Sequence, residues 1–239
     1  MRGRGRGCGI GAVAMNLIVL DGALARCSVA AFAAGRLVAE EVVDGARQQP
    51  TALPPMADRV LRRLAAQAPG LDAVAVVVGP GGFTGLRSAI ALAEGLALGA
   101  GARLIGITTG EALAASLPEA LREARAVWSA IDTKRGRLVL ECLAPGAWHA
   151  AEAPRAMAED ELPMPASPVA LVGDAAPQAA ARLCQLGADA LLTEALLPLA
   201  SAAGLVALRR LAGTIPPRDA RPLYVEPPAV RPPRGDLAG

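Results

Sequence analysis

The chain has 239 residues, with 24 Lys+Arg, 22 Asp+Glu, one His, four Cys and five aromatic residues, and 53% of it is apolar. This composition supports a folded core in one or two domains and excludes a disordered chain. Lys134 and His149 are the only residues of their kinds, which rules out a G-x-x-x-x-G-K-[ST] phosphate loop and an H-E-x-x-H zinc site.

The formal net charge of +2 becomes −1 once Arg2, Arg4 and Arg6 are set aside, so nothing advertises a polyanionic partner. Cys8, Cys27, Cys142 and Cys184 are scattered without a C-x-x-C pair and read as buried apolar thiols in a reducing compartment. A cytoplasmic location is therefore expected. Residues 1–14 are low in complexity and imitate a signal peptide. Cleavage at Ala23-Leu24-Ala25, however, would delete the strand candidate at residues 16–20, so they read as a disordered or spurious extension. No uncharged run reaches the roughly 18 residues that span a bilayer.

From Met15 onward, apolar runs at 17–20, 28–32 and 37–43, punctuated by Asp21-Gly22 and Ala34-Gly35, predict an antiparallel meander. Leu53, Met56, Val60, Leu61 and Leu64 recur at helical spacing and predict a first helix, with Pro54 and Pro55 expected in its first turn. Residues 73–78 are continuously apolar, as in a strand buried on both faces. The Gly-rich stretch from Gly79 opens a second helix reaching about residue 99. Residues 103–107 predict the next strand, and Thr108-Thr109-Gly110-Glu111 has the spacing of a capping box for a third helix. Residues 15–118 thus read as one βββαβαβα lobe. Residues 119–225 repeat the grammar loosely as a degenerate second lobe, with strands at 126–131, 138–143 and 169–172, helices at 177–186 and 199–212, and an irregular excursion at 145–168. Residues 226–239 form a Pro-rich tail.

The densest chemical signal is Gly79-Pro80-Gly81-Gly82-Phe83-Thr84-Gly85-Leu86-Arg87. Its glycines permit close backbone approach, Phe83 is placed to plug the loop onto the core, and Thr84 to cap the helix. A strand-to-helix turn of this kind serves either as a tight connector or as a cradle of amides for a phosphate or carboxylate. The stretch resembles the G-P-G-S-F-T-G-L-R signature of the TsaB (YeaZ) family of tRNA threonylcarbamoyladenosine biosynthesis proteins. The resemblance extends to residues 15–30, to Gly106-Ile107-Thr108-Thr109 with Glu111 to Ala114, and to Pro222-Leu223-Tyr224-Val225.

That resemblance implies a two-lobed α/β fold of the actin/Hsp70/sugar-kinase type, with mixed sheets flanked by helices. It also implies a scaffold that pairs with a TsaD-like transferase through helices of the first lobe, is joined by a TsaE-like ATPase, and meets tRNA only indirectly. Where the family reads Asp-Thr-Ser after its first strand, this chain has Asp21-Gly22-Ala23, a degenerate phosphate turn. Where many members carry a His, it has Gln48-Gln49-Pro50-Thr51. No catalytic residue, metal site or cofactor of the chain alone is expected, any nucleotide being shared at the interface of the complex. A sugar-kinase-like ATPase and a peptidase built on His149 stand as the alternatives, although His149 reads as a solvated loop residue.

Gly85, Ala89, Ala93, Ala97 and Gly101 lie at successive i+4 steps, a stripe of small residues that serves either internal packing or docking of another helix. With Leu53, Met56, Val60 and Leu64 on the first helix, this stripe is assigned to the partner interface. A second copy of the chain is a possible occupant when the chain is alone. Five aromatics, with Phe83 expected inside, do not make an RNA-stacking platform. Arg59, Arg62, Arg63, Arg122, Arg125, Arg209 and Arg210 read as solvated helix faces.

Overall fold

The computed structural model describes residues 15–45 and 49–225; the expectations for residues 1–14, Gln48 and the Pro-rich tail from residue 226 lie outside them. Strands β1 (Leu17–Asp21), β2 (Arg26–Ala33) and β3 (Arg36–Asp44) form the expected meander and are followed by α1 (Gln49–Ala65). Then come β4 (Ala73–Gly79), α2 (Phe83–Ala100), β5 (Arg103–Thr108) and α3 (Thr109–Ala115). The capping box forms as read: the Glu111 amide donates to the Thr108 hydroxyl at 3.0 Å, and the Thr108 amide to the Glu111 carboxylate at 2.8 Å.

The second half contains α4 (Glu119–Ala124), β6 (Ala126–Asp132), β7 (Leu138–Leu143), β8 (Arg155–Met157) and β9 (Val169–Val172). It closes with α5 (Ala176–Gln185), β10 (Ala190–Leu192) and α6 (Ala200–Leu211). The first sheet runs β3-β2-β1-β4-β5 and the second β8-β7-β6-β9-β10. In each, two antiparallel pairs are followed by two parallel ones. The second lobe is thus a copy of the first, in which a 3-10 turn at Glu159–Glu161 stands where α1 stands in the first. This is the two-lobed actin/Hsp70/sugar-kinase-like arrangement.

Burial follows from the layering. A central apolar layer built on α3 and α6 fills the space between the two sheets, joining Leu17, Val19 and Phe32 to Val127, Ile131 and Val172. A second cluster packs α1 and α2 on the outer face of the first sheet, and a third packs α5 on the outer face of the second. Although it comes late in the chain, α6 is held to the first sheet at its N-terminus: the Ala200 amide donates to the Ser28 hydroxyl and the Ser201 amide to Glu40, each at 2.8 Å. The C-terminal segment also returns to the first sheet. The Gly106 amide donates to the Arg218 carbonyl at 2.9 Å, and the Leu223 amide to the Val78 carbonyl at 2.8 Å.

Several local expectations are corrected. Pro54 and Pro55 lie past the first turn of α1, because the helix begins at Gln49. Both are exposed, as are Pro50 and Thr51 one turn earlier, so the missing proline amides fall on the solvent side of the helix. Among the described cysteines only Cys27 is buried; Cys142 and Cys184 are exposed. Arg122, Arg209 and Arg210 are not solvated decorations. The Arg122 and Arg209 guanidinium carbons lie 4.0 and 3.6 Å from the Trp148 ring centroid, and Arg210 pairs with Glu111 at 2.6 Å inside the protein. Arg59 and Arg62 are on the surface as expected, paired with Glu41 and Asp58, and such exposed pairs add little to stability. His149 is half-buried beside Trp148, with its Nδ1 out of contact with solvent, rather than freely solvated.

Candidate functional site

The signature loop emerges from β4, an interior strand of the first sheet between β1 and β5, and turns directly into α2. Its backbone lies against the turn that follows β1. The Gly82 amide donates to the Ala23 carbonyl at 2.7 Å, and a Cβ at Gly81 would overlap that same carbonyl. From the other side, a Cβ at Gly22 would meet the Gly85 carbonyl oxygen at 2.8 Å. The glycines therefore permit backbone-on-backbone contact between the turn after β1 and the start of α2, which is the connector role. Thr109 secures the loop from β5–α3, its hydroxyl donating to the Pro80 carbonyl at 2.6 Å. Replacing Gly81 with alanine should push the loops apart and cost about 1–3 kcal/mol, the usual range for overpacking; urea unfolding of the variant checks it.

Asp21 ends β1 beneath this contact and is fully buried. One carboxyl oxygen accepts the Ala23 amide at 2.9 Å; the other is buried without a hydrogen-bond partner. Burial pushes its pKa up to about 7, against the opposing pull of the Ala23 amide and the charge of Arg26. Among the described residues, no group of three or more His, Cys, Asp or Glu side chains is assembled to hold a metal ion.

A second buried acid, missed in the sequence, lies between the sheets. Glu141 on β7 packs against the first turn of α3, where a Cβ at Gly110 would overlap its carboxyl. It is 1% exposed, and its pKa is raised to about 7 by burial and by the neighbouring charge of Glu111. Arg218 from the C-terminal segment and the hydroxyl of Thr108 oppose that rise.

The residues assigned to the partner interface do not form a surface. Leu53, Met56, Val60 and Leu64 are at most 2% exposed, and Ala89, Ala93 and Ala97 are buried as well. They pack α1 and α2 onto the first sheet, the small stripe letting α2 lie close. The face left open is the neighbouring one. On α2 it carries Arg87, Ala91, Glu94, Gly95, Leu98 and Gly99, all exposed, and among the described residues Leu98 is the most exposed large apolar one at 86%. Between this face and the end of α1 runs an apolar groove of about 400 Å³ bordered by Leu61, Ala65, Leu71, Gly95, Leu96 and Gly99, with Leu64 as the one assigned interface residue that reaches it.

Two residues of the signature loop also depart from expectation. Thr84 does not cap α2; Gly82 occupies the N-cap and supplies no side-chain acceptor. Phe83 is not a plug. As the first residue of the helix it projects outward, where Arg87 and Tyr224 meet it.

The family model for the tRNA N6-adenosine threonylcarbamoyltransferase TsaD matches residues 44–141. The tRNA threonylcarbamoyladenosine biosynthesis protein TsaB of Escherichia coli (strain K12) is 33% identical over 126 residues, 52% of this chain and 53% of that protein. The Haemophilus influenzae protein of the same name is 34% identical over 121 residues, half of each chain. The match therefore spans about half the length of these curated relatives. In structure, YeaZ from Pseudomonas aeruginosa superimposes with a TM-score of 0.72 at 28% identity, covering 88% of this chain and 99% of that one. The signature loop, the sheet order and these likenesses agree in supporting the TsaB (YeaZ) family for this chain.

Proposed function

We propose that the chain takes part in tRNA threonylcarbamoyladenosine biosynthesis as a non-catalytic subunit, binding a TsaD-like transferase through the exposed face of α1 and α2. The observation that carries this reading is the closure of the turn after β1. Asp21 is buried beneath the Gly79–Gly85 loop, and the C-terminal segment bonds to β4 at Val78 and to β5 at Gly106, at the carboxyl ends of strands where open α/β sheets bind ligands. The apolar groove and the small residues of the outer α2 face suit a close helical neighbour.

On this reading the chain binds no nucleotide by itself, a nucleotide being shared at the interface of the complex. A TsaE-like ATPase joins the assembly, and tRNA is reached through the transferase. In the absence of the transferase, a second copy of the chain has the same face available. Depleting the chain in cells and measuring tRNA nucleosides by mass spectrometry tests the proposal. Threonylcarbamoyladenosine should fall and recover on re-expression; an unchanged level rejects it.

A further inference from the structure

Two segments singled out separately in the sequence, Gly79 to Arg87 and Pro222 to Val225, meet on the surface. The Phe83 and Tyr224 rings stack with centroids 6.0 Å apart and planes 28° apart. The Arg87 guanidinium lies 3.9 Å from the Phe83 centroid, and its Nε donates to the Tyr224 hydroxyl at 2.8 Å. Phe83 is 55% exposed and Tyr224 49%. A chain with five aromatic residues thus places two of them half in water. The first position of a helix has no requirement for an aromatic residue, and neither ring belongs to an apolar cluster of the interior.

We propose that Phe83, Arg87 and Tyr224 form the anchor on which the transferase partner docks, an inference that rests on the function proposed above. Aromatic and arginine side chains dominate binding hot spots, and here they are held in place before any partner arrives, so little ordering remains to be done on association. The cluster is continuous with the open face of α2: Phe83, Arg87, Ala91 and Leu98 follow one another along the solvent side of the helix, beside Gly95 and Gly99 of the groove. On α2 that face carries only Arg87 and Glu94 as charged groups, and on α1 Arg59 and Arg62 are paired with Glu41 and Asp58. RNA binding needs several cations to neutralise phosphates, so this surface fits a protein. Nor is the stack needed merely to hold the C-terminal segment, which the backbone bonds at Val78 and Gly106 already fix.

The test measures affinity of the full chain for the purified transferase of the same organism, together with hydrogen exchange at the Leu223 amide. Phe83→Ala should weaken binding about thirtyfold, the equivalent of a typical hot-spot residue, while Leu223 stays protected; Phe83→Tyr should retain most of the affinity. If Phe83→Ala binds as tightly as the parent while Gly95→Arg does not bind, the anchor is overturned and the helix-face reading stands. If both variants bind normally, both readings fail. Loss of Leu223 protection in Phe83→Ala would make the cluster a clamp for the C-terminal segment and overturn the proposal. Unchanged transferase affinity with weakened retention of unmodified tRNA would overturn it in favour of an RNA contact.

Discussion

Replacing Ala93 with arginine should strongly destabilise the subunit, whereas replacing Gly95, two residues away, with arginine should leave its stability intact and remove partner binding. Ala93 has no exposed surface and lies in the cluster that seats α1 and α2 on the first sheet. An arginine there must either displace that packing or bury an unpaired charge, mechanisms that together cost about 3–5 kcal/mol, a large share of the roughly 5–15 kcal/mol that holds a domain together. Gly95 has open space where a Cβ would stand, so an arginine there meets no obstacle in the subunit and stays within about 0.5 kcal/mol of the parent, as surface changes usually do. Its guanidinium would instead occupy the groove where the proposed partner helix packs. Urea unfolding of each variant, followed by co-purification with the transferase, separates the two effects.

Stability of the isolated subunit should fall as pH rises from about 4 to about 7. Asp21 and Glu141 have folded-state pKa values raised to about 7, so the native state holds protons that the unfolded chain gives up near pH 4. The stabilisation is complete below the unfolded values, declines between them and the folded ones, and is absent above about pH 7. With roughly 1.4 kcal/mol for each pH unit of separation, each group contributes a few kcal/mol at the acid end. Glu141→Gln mimics the protonated acid, and should flatten the profile and raise the melting temperature at pH 8. A profile whose slope is unchanged by Glu141→Gln would show that this carboxyl is not held protonated between the sheets.

The first lobe was legible because its signals are local. A continuous apolar run marks β4, the Thr108–Glu111 box marks α3, and turn residues separate the meander. Helix α4 has six residues, and β8 and β10 have three each, too short for any periodicity to register. The interface was misplaced for a different reason. On α2, alanine and glycine occupy both the inward stripe of Ala89, Ala93 and Ala97 and the outward one of Ala91, Gly95 and Gly99, and small residues carry no label of direction. Only the sheet beneath the helix decides between them.

Charge was misread wherever its partner is remote in sequence. Arg210 meets Glu111 across 99 residues, and Arg122 and Arg209 meet at Trp148, contacts that no local spacing can reveal. Apolarity alone places Phe83 in the interior, yet its ring lies outside against Tyr224, 141 residues further along the chain. Asp21 reads in the sequence as the remnant of a phosphate turn; its burial under the signature loop depends on Gly81 and Gly22 bringing two backbones together, a contact between segments about 60 residues apart that no local spacing reveals.

The central claim is that this subunit supports a transferase without chemistry of its own, and Asp21→Asn tests it most directly. The asparagine imitates the protonated carboxyl and so preserves the fold. In a reconstitution with purified transferase, ATPase and unmodified tRNA, the variant should sustain threonylcarbamoyladenosine formation at the parental rate, with no phosphate release by either form of the subunit alone. Phosphate release by the isolated parent, abolished in the variant together with tRNA modification, would contradict the account.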